Sequence, residues 1–405
     1  MQIPSPSAYP YIFLDYRCHS VGLVADPVVI YIDCRCEAAP ATPYDVAAFC
    51  AGEQPGLFRD FVPPNALTFS KVDQLIFFVS SGGYWPMVFE SPGSRVTGVI
   101  PKLPPGPVGW WHAFHGVDTT HRTRGAGMKI GIIDEALPHQ TSGPLARVKN
   151  LGGIAWDAPG DRPYRSLGSG HGEMVCSVLG AQPTKKFGFE GIAPGASLFF
   201  CAAGADDNDR LSAPRLAESI YHLAEVEGCN IITFSAGDVN VPLPEVEAAL
   251  QDAADLGVLC FAAAGNRGQA PLYPARYDDC LSVGALGRVG YAPRQTEDWR
   301  DACASREVKG DEFMWQASAR GAEVKFLGAG ASILYTGSTG RSFAVSGTSF
   351  AAPIVAGVAA LILEKDATYQ SLGKDRKRVE YALGIFRSMS SNPFSGLASI
   401  GILKA

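Results

Sequence analysis

The sequence predicts an α/β fold, a mostly parallel sheet covered by helices in three layers, preceded by a small α+β domain. Three observations carry this. From residue 125 onward, short apolar runs alternate with stretches of helical periodicity, the pattern of a sheet buried on both faces by crossover helices. The first hundred residues lack that alternation and instead carry short strand-like runs closed by turn residues. Between the two lies Pro101-Lys-Leu-Pro-Pro-Gly-Pro107, a stiff segment that suits neither a helix nor a central strand. The boundaries drawn are 1–104 and 105–405.

In the first part, strands are expected at 11–16, 28–36, 71–80 and 95–100, and a helix at 44–50. In the second, apolar strands are expected at 129–133, 197–203, 230–235, 257–263 and 280–285. Leu216, Ile220, Leu223, Ala224 and Val226 recur at helical spacing, which predicts a helix over 212–227. A second helix is expected at 243–256, with Ala248, Ala249 and Leu250 inward. Near the C-terminus a covering helix at 376–389 precedes a last apolar strand.

Composition narrows the function. Of 405 residues, 47% are hydrophobic and 18% charged, which excludes a disordered chain. The net charge of −6, with no long basic run, argues against nucleic acid or an anionic membrane as partner. No stretch approaches the roughly 18–20 apolar residues of a membrane span; 354–363 falls short. The N-terminus shows no basic start followed by an apolar run, so a cytoplasmic location is expected. The ten cysteines read as free thiols in a reducing compartment. Cys34-x-Cys36 lacks the spacing of a metal pair.

In parallel α/β sheets the chemistry sits beyond the carboxyl ends of the strands. Four polar residues fall at such ends or at helix starts. Asp134 follows the apolar run Lys129-Ile-Gly-Ile-Ile, and His171 lies between Gly170 and Gly172. Asn266 closes Phe261-Ala-Ala-Ala-Gly-Asn266, and Ser349 opens a run of small apolar residues. Singly, each reads as an ordinary cap or turn residue. Together they supply an orienting acid, a base, an oxyanion donor and a nucleophile. A serine hydroxyl needs an imidazole to take its proton, and the imidazole needs a carboxylate to fix its tautomer. The Asn266 amide and the Ser349 N–H at a helix N-terminus can receive the developing oxyanion.

Residues 108–365 resemble the subtilisin-type serine proteases (subtilases), which share this Asp…His…Ser order. The resemblance rests on Lys129-Ile-Gly-Ile-Ile-Asp134, Gly170-His-Gly172, Ala262-Ala-Ala-Gly-Asn266 and above all Gly347-Thr-Ser-Phe-Ala-Ala-Pro353. Gly191-Ile-Ala-Pro-Gly-Ala196 and Tyr273-Pro-Ala-Arg-Tyr277 match further family segments. It implies the subtilisin-like fold and a serine endopeptidase with Asp134, His171 and Ser349 as catalytic residues and Asn266 in the oxyanion hole. It also implies a substrate-binding wall of Ser235, Ala236, Gly237, Ala263, Ala264 and Gly265, with Arg267 at its rim and Thr348 beside the nucleophile. A cation at Arg267 would favour an acidic or polar residue before the cut bond. The chain departs from the family pattern at Glu135-Ala136, at Glu173-Met174 and in a longer polar stretch over 288–310.

Peptide or protein substrates follow from the resemblance, and no cofactor is expected. The family often holds calcium in surface loops. Here the segment after the histidine helix, Ala181 to Gly188, is poor in acids, so no metal site is assigned, and Asp206-Asp-Asn-Asp209 reads as a solvated turn. Residues 1–104 occupy the place of a propeptide. The proline-rich junction is a poor substrate, so they are expected to stay attached and to regulate within the chain. Two other readings remain open: a peptide ligase or macrocyclase using the same acyl-enzyme, and an inactive peptide-binding subtilase.

Overall fold

The computed structural model describes residues 13–15, 18–24, 29–34, 74–79, 87–90, 109–120, 124–134, 137, 143–152, 170–182, 189–203, 212–235, 240–288, 308–336 and 342–405. The helix expected at 44–50 and the strand at 95–100 lie outside them, as does most of 288–310.

Among the described residues, five strands precede residue 100: β1 (Phe13–Asp15), β2 (Cys18–Val24), β3 (Val29–Cys34), β4 (Gln74–Val79) and β5 (Met87–Glu90). The sequence reading had found β1, β3 and β4; it missed β2 and β5, both strand partners of those three. β3 pairs with β1 in parallel and with β2 antiparallel.

After the short helix α1 (Trp110–Phe114) come β6 (Lys129–Asp134), β7 (Lys149–Asn150), α2 (His171–Gly180), β8 (Ser197–Ala202) and α3 (Ala213–Tyr221). α3 runs on into a π turn at His222–Val226, so the predicted 212–227 helix is present but widens at its end. β9 (Ile231–Phe234), α4 (Pro244–Asp255), β10 (Leu259–Ala263) and β11 (Cys280–Arg288) follow. In α4, Ala249 and Leu250 are buried as expected, but Ala248 is exposed. The chain then forms β12 (Val308–Lys309), β13 (Glu312–Met314), β14 (Phe326–Ala329), β15 (Ile333–Thr336) and β16 (Ser342–Val345). It closes with α5 (Thr348–Lys365), α6 (Ala367–Ser371), α7 (Arg376–Met389), β17 (Ser390–Ser391) and β18 (Ile402–Leu403).

Among the described residues the main sheet has nine strands in the order β12-β13-β11-β10-β9-β6-β8-β7, with β14 also on β11. β6, β8, β9, β10 and β11 all run parallel. Their side chains alternate between two cores with the strand period of two. On β10, Leu259 and Phe261 enter one core while Cys260 and Ala262 enter the other. The first core is covered by α2 and α5, the second by α3 and α4. This is the expected three-layer arrangement. α5 is long and apolar enough to cross a bilayer by those criteria alone, but 83% of it is buried inside the protein. The helix starts beside Ser349, as the sequence predicts, and extends the apolar run at 354–363 in both directions. A four-stranded sheet, β15-β16-β4-β5, joins the hairpin ahead of α5 to the N-terminal strands, with β4 parallel to β16.

α1 and its C-cap residue supply two histidines, His112 and His115, buried to 1% and 0% exposure. His115 Nδ1 donates to the Leu403 carbonyl at 2.8 Å, and its Nε2 accepts from the Ala329 N–H at 3.2 Å. That pairing requires the neutral ring. Burial lowers the pKa of His112 to about 4 and that of His115 to about 3. An unfolded chain binds these protons near pH 6.5, and the folded one does not. Stability is therefore full above pH 6.5 and falls as the pH drops towards 4, by up to about 1.4 kcal/mol per pH unit for each ring. Urea unfolding of Ser349→Ala protein, which avoids self-digestion, should give a clearly lower midpoint at pH 5 than at pH 7. Equal midpoints would contradict the buried neutral pair.

Candidate active site

Three adjacent parallel strands end at the same edge of the sheet, and each delivers a polar residue there. β6 ends on Asp134, β9 is followed by Ser235, and β10 runs through Ala263 to Asn266. α2 begins at His171, with Gly170 as its cap at φ 72°. That left-handed conformation favours glycine, and it turns the chain so that the imidazole meets the end of β6. Asp134 Oδ1 lies 2.8 Å from His171 Nδ1. The carboxylate is 1% exposed and the imidazole side chain 23%. A buried acid bonded to Nδ1 leaves Nε2 as the ring atom available to a reacting group.

Ser349 sits in the first turn of α5, after the cap Gly347. Its neighbour Phe350 lies beside the imidazole, with ring centroids 5.7 Å apart. Pro353, four residues on, lacks the N–H that would bond the Ser349 carbonyl within the helix. The Ser235 hydroxyl takes that place, donating to the Ser349 carbonyl at 2.8 Å. Ser235 was expected to wall the substrate site, and the structure shows its hydroxyl holding the nucleophile's backbone.

The Asn266 side chain is fixed by its neighbour in the same way. Its Oδ1 accepts from the Thr348 N–H at 3.0 Å and from the Thr348 hydroxyl at 2.7 Å. With Oδ1 doubly engaged, the amide group Nδ2 faces the other way. The Gly265 N–H donates in turn to Thr348 Oγ1 at 3.2 Å. Thr348 is fully buried, so its hydroxyl orients Asn266, a revision of its expected contact with substrate. Ala264 is also buried, at 2% exposure, with its N–H given to the Val283 carbonyl.

At the start of α5, the Gly347 N–H goes to the Gly330 carbonyl, and those of Phe350 and Ala351 go to the Gly347 carbonyl. The Ser349 N–H has no such partner among the described residues. It is left, with Asn266 Nδ2, to receive a negative oxygen. Ala263 and Gly265 are half-buried, Asn266 and Arg267 are exposed, and Ala236 and Gly237 lie outside the described residues. No group of three or more His, Cys, Asp or Glu suited to hold a metal occurs among the described residues.

A buried acid bonded to an imidazole, in a chain that presents a serine at a helix N-terminus, is consistent with a serine hydrolase carrying Asp, His and Ser in that chain order. Comparison with known proteins gives the particular group. The model of the subtilase family matches residues 125–375. Subtilisin BL of Lederbergia lenta is 30% identical over 250 residues, covering 61% of this chain and 80% of its own. M-protease of Shouchella clausii is 30% identical over the same share of this chain, which spans 57% of that protein. Sphericase shares the fold, with a TM-score of 0.55 and 24% identity over 73% of this chain and 94% of its own. The self-cleaved protease domain of PatA has a TM-score of 0.50 and 26% identity, covering 66% of this chain and 90% of its own. The chain belongs to the subtilase family and is a serine protease acting on peptides or proteins.

Proposed function

We propose that this protein is an endopeptidase that cuts peptide bonds through an acyl-enzyme on Ser349. The observation that carries the reading is the buried Asp134 carboxylate held 2.8 Å from His171 Nδ1. His171 Nε2 takes the Ser349 hydroxyl proton as Oγ bonds the substrate carbonyl carbon. The oxygen's charge is received by Asn266 Nδ2 and the Ser349 N–H. Collapse of the tetrahedral intermediate breaks the C–N bond, and the imidazolium returns its proton to the leaving amine. Water, deprotonated by His171, then releases the new acid and restores the serine. Asp134 stabilises the imidazolium in both halves. Digestion of a peptide in ¹⁸O water tests the acceptor: each cut should place heavy oxygen in the new carboxyl. Joined or cyclised product without heavy oxygen would reassign the acceptor to an amine.

Asn266→Ala removes the amide donor but leaves the Ser349 N–H. The expected result is a loss of about 10²–10³ in kcat, the scale for one oxyanion donor, with KM changed little. A fall in affinity alone would show that Asn266 binds the ground state instead.

Residues 1–104 are proposed to stay attached, and the parallel pairing of β4 with β16 supports this. Intact mass after prolonged incubation should remain that of the whole chain; loss of about a hundred residues would refute it. A reducing location is also proposed. Cys176, Cys201, Cys229, Cys260 and Cys280 are buried free thiols, and burial pushes Cys229 and Cys280 up to about 12.

A further inference from the structure

One line of contacts reaches the nucleophile from the start of the peptidase region. Trp110, in α1, is 3% exposed, and its indole N–H donates to the Ser332 carbonyl at 3.3 Å. These residues are 222 positions apart. Ser332 is itself 3% exposed, and among the described residues it is the one non-glycine with positive φ, at 54°. That conformation is disfavoured for an L-residue and persists where the surroundings over-determine it. The surroundings here are specific. The Ser332 N–H donates to Ser346 Oγ at 2.8 Å, three residues before Ser349.

The same turn grips the loop a second time. The Gly347 N–H donates to the Gly330 carbonyl at 2.7 Å. A side chain at Gly330 would stand 2.9 Å from the Gly347 carbonyl, so the close approach depends on glycine there. From below, α1 holds the other end of the turn, because His115 Nε2 accepts the Ala329 N–H. Residues 329–332 are thus clamped by α1 on one side and clamp Ser346 and Gly347 on the other. Nothing in the Asp134–His171 or Asn266–Thr348 contacts fixes these two residues. They set the direction in which the chain enters α5, and hence where the Ser349 hydroxyl and N–H point.

We propose that Trp110, Ser332 and Ser346 are positioning residues for the nucleophile, acting as a strut from α1 through the 329–332 turn. The proposal rests on the reading of Ser349 as the nucleophile. It accounts for the strained backbone at Ser332, whose N–H and carbonyl are both engaged. It also makes α1 part of the catalytic apparatus, although it touches neither substrate nor reacting atoms.

The test uses the full chain and its Trp110→Phe and Ser346→Ala variants. The rate of fluorophosphonate adduct formation is read by intact mass, beside kcat, KM and thermal melting. Trp110→Phe keeps an aromatic ring but removes the N–H together with part of the indole. It and Ser346→Ala should label about tenfold more slowly, with kcat falling in step, KM within about twofold and melting shifted by only a few degrees. If Ser346→Ala does not fold, Trp110→Phe carries the comparison alone. Folded Trp110→Phe labelling at the wild-type rate, whatever its melting temperature, overturns the strut. A wild type as silent as Ser349→Ala overturns the nucleophile reading and the strut with it.

Discussion

Replacing Asp134 by asparagine should lower kcat about 10⁴-fold while the protein stays folded. The side chain keeps its size in a site that is 1% exposed, so packing is retained. What changes is the atom facing His171 Nδ1 at 2.8 Å. An amide that presents its NH₂ there forces the imidazole to carry its proton on Nε2. The base then points a proton, not a lone pair, at Ser349. The amide also fails to stabilise the imidazolium formed in each half-reaction. The same substitution in another serine protease costs about 10⁴ in kcat, and the shared geometry leads to the same expectation here. Steady-state kinetics with a chromogenic peptide, beside a circular dichroism spectrum, make the check. A loss under tenfold would show that the acid is structural.

The second large effect is on stability. Arg124 and Glu190 form a buried pair, with Nη2 to Oε2 at 3.1 Å and side chains 5% and 8% exposed. The guanidinium Nε also donates to the Ile192 carbonyl at 3.3 Å, and the Gly195 N–H donates to the Arg124 carbonyl at 2.7 Å. The pair therefore ties the 124–128 turn to residues 189–196. Those residues pack on the end of α2, where the Ile192 and Ala193 N–H groups bond the Val178 and Leu179 carbonyls. Arg124→Met strands the Glu190 carboxylate in the interior, at a cost of about 3–5 kcal/mol. For a domain of this size the melting temperature should drop on the order of 5–10 °C. The double variant Arg124→Met/Glu190→Leu should recover much of it, since a well-packed apolar pair can replace a buried ionic one. A double variant no better than the single would show that Arg124 acts through its backbone contacts and not the ion pair. Because α2 presents His171, the single variant should also inactivate earlier on heating.

Much of this site was legible in the sequence because its residues sit at positions that local patterns define. The apolar run before Asp134 became β6, glycines around His171 marked the start of α2, and Ser349 opened a helix of small residues. What sequence order did not disclose is which way a side chain faces where strand gives way to helix. Thr348 precedes the nucleophile and was read as touching substrate, yet it is fully buried and serves Asn266. Ser235 lies on the expected wall, but the missing N–H of Pro353 draws its hydroxyl to Ser349. The proline itself was the available signal. The Trp110–Ser332 contact had none, since it joins residues far apart through an indole N–H and a carbonyl. β2 and β5 were missed for a related reason: strand pairing is decided by partners, and β5 has only four residues.

The most direct test of the central claim is peptide mapping of a fluorophosphonate adduct on folded wild type and on Ser349→Ala. An activated serine in the field of His171 and Asp134 predicts one adduct on the wild type, located on Ser349, and none on the variant. An adduct that persists in Ser349→Ala, or a folded wild type that takes no label, would contradict it.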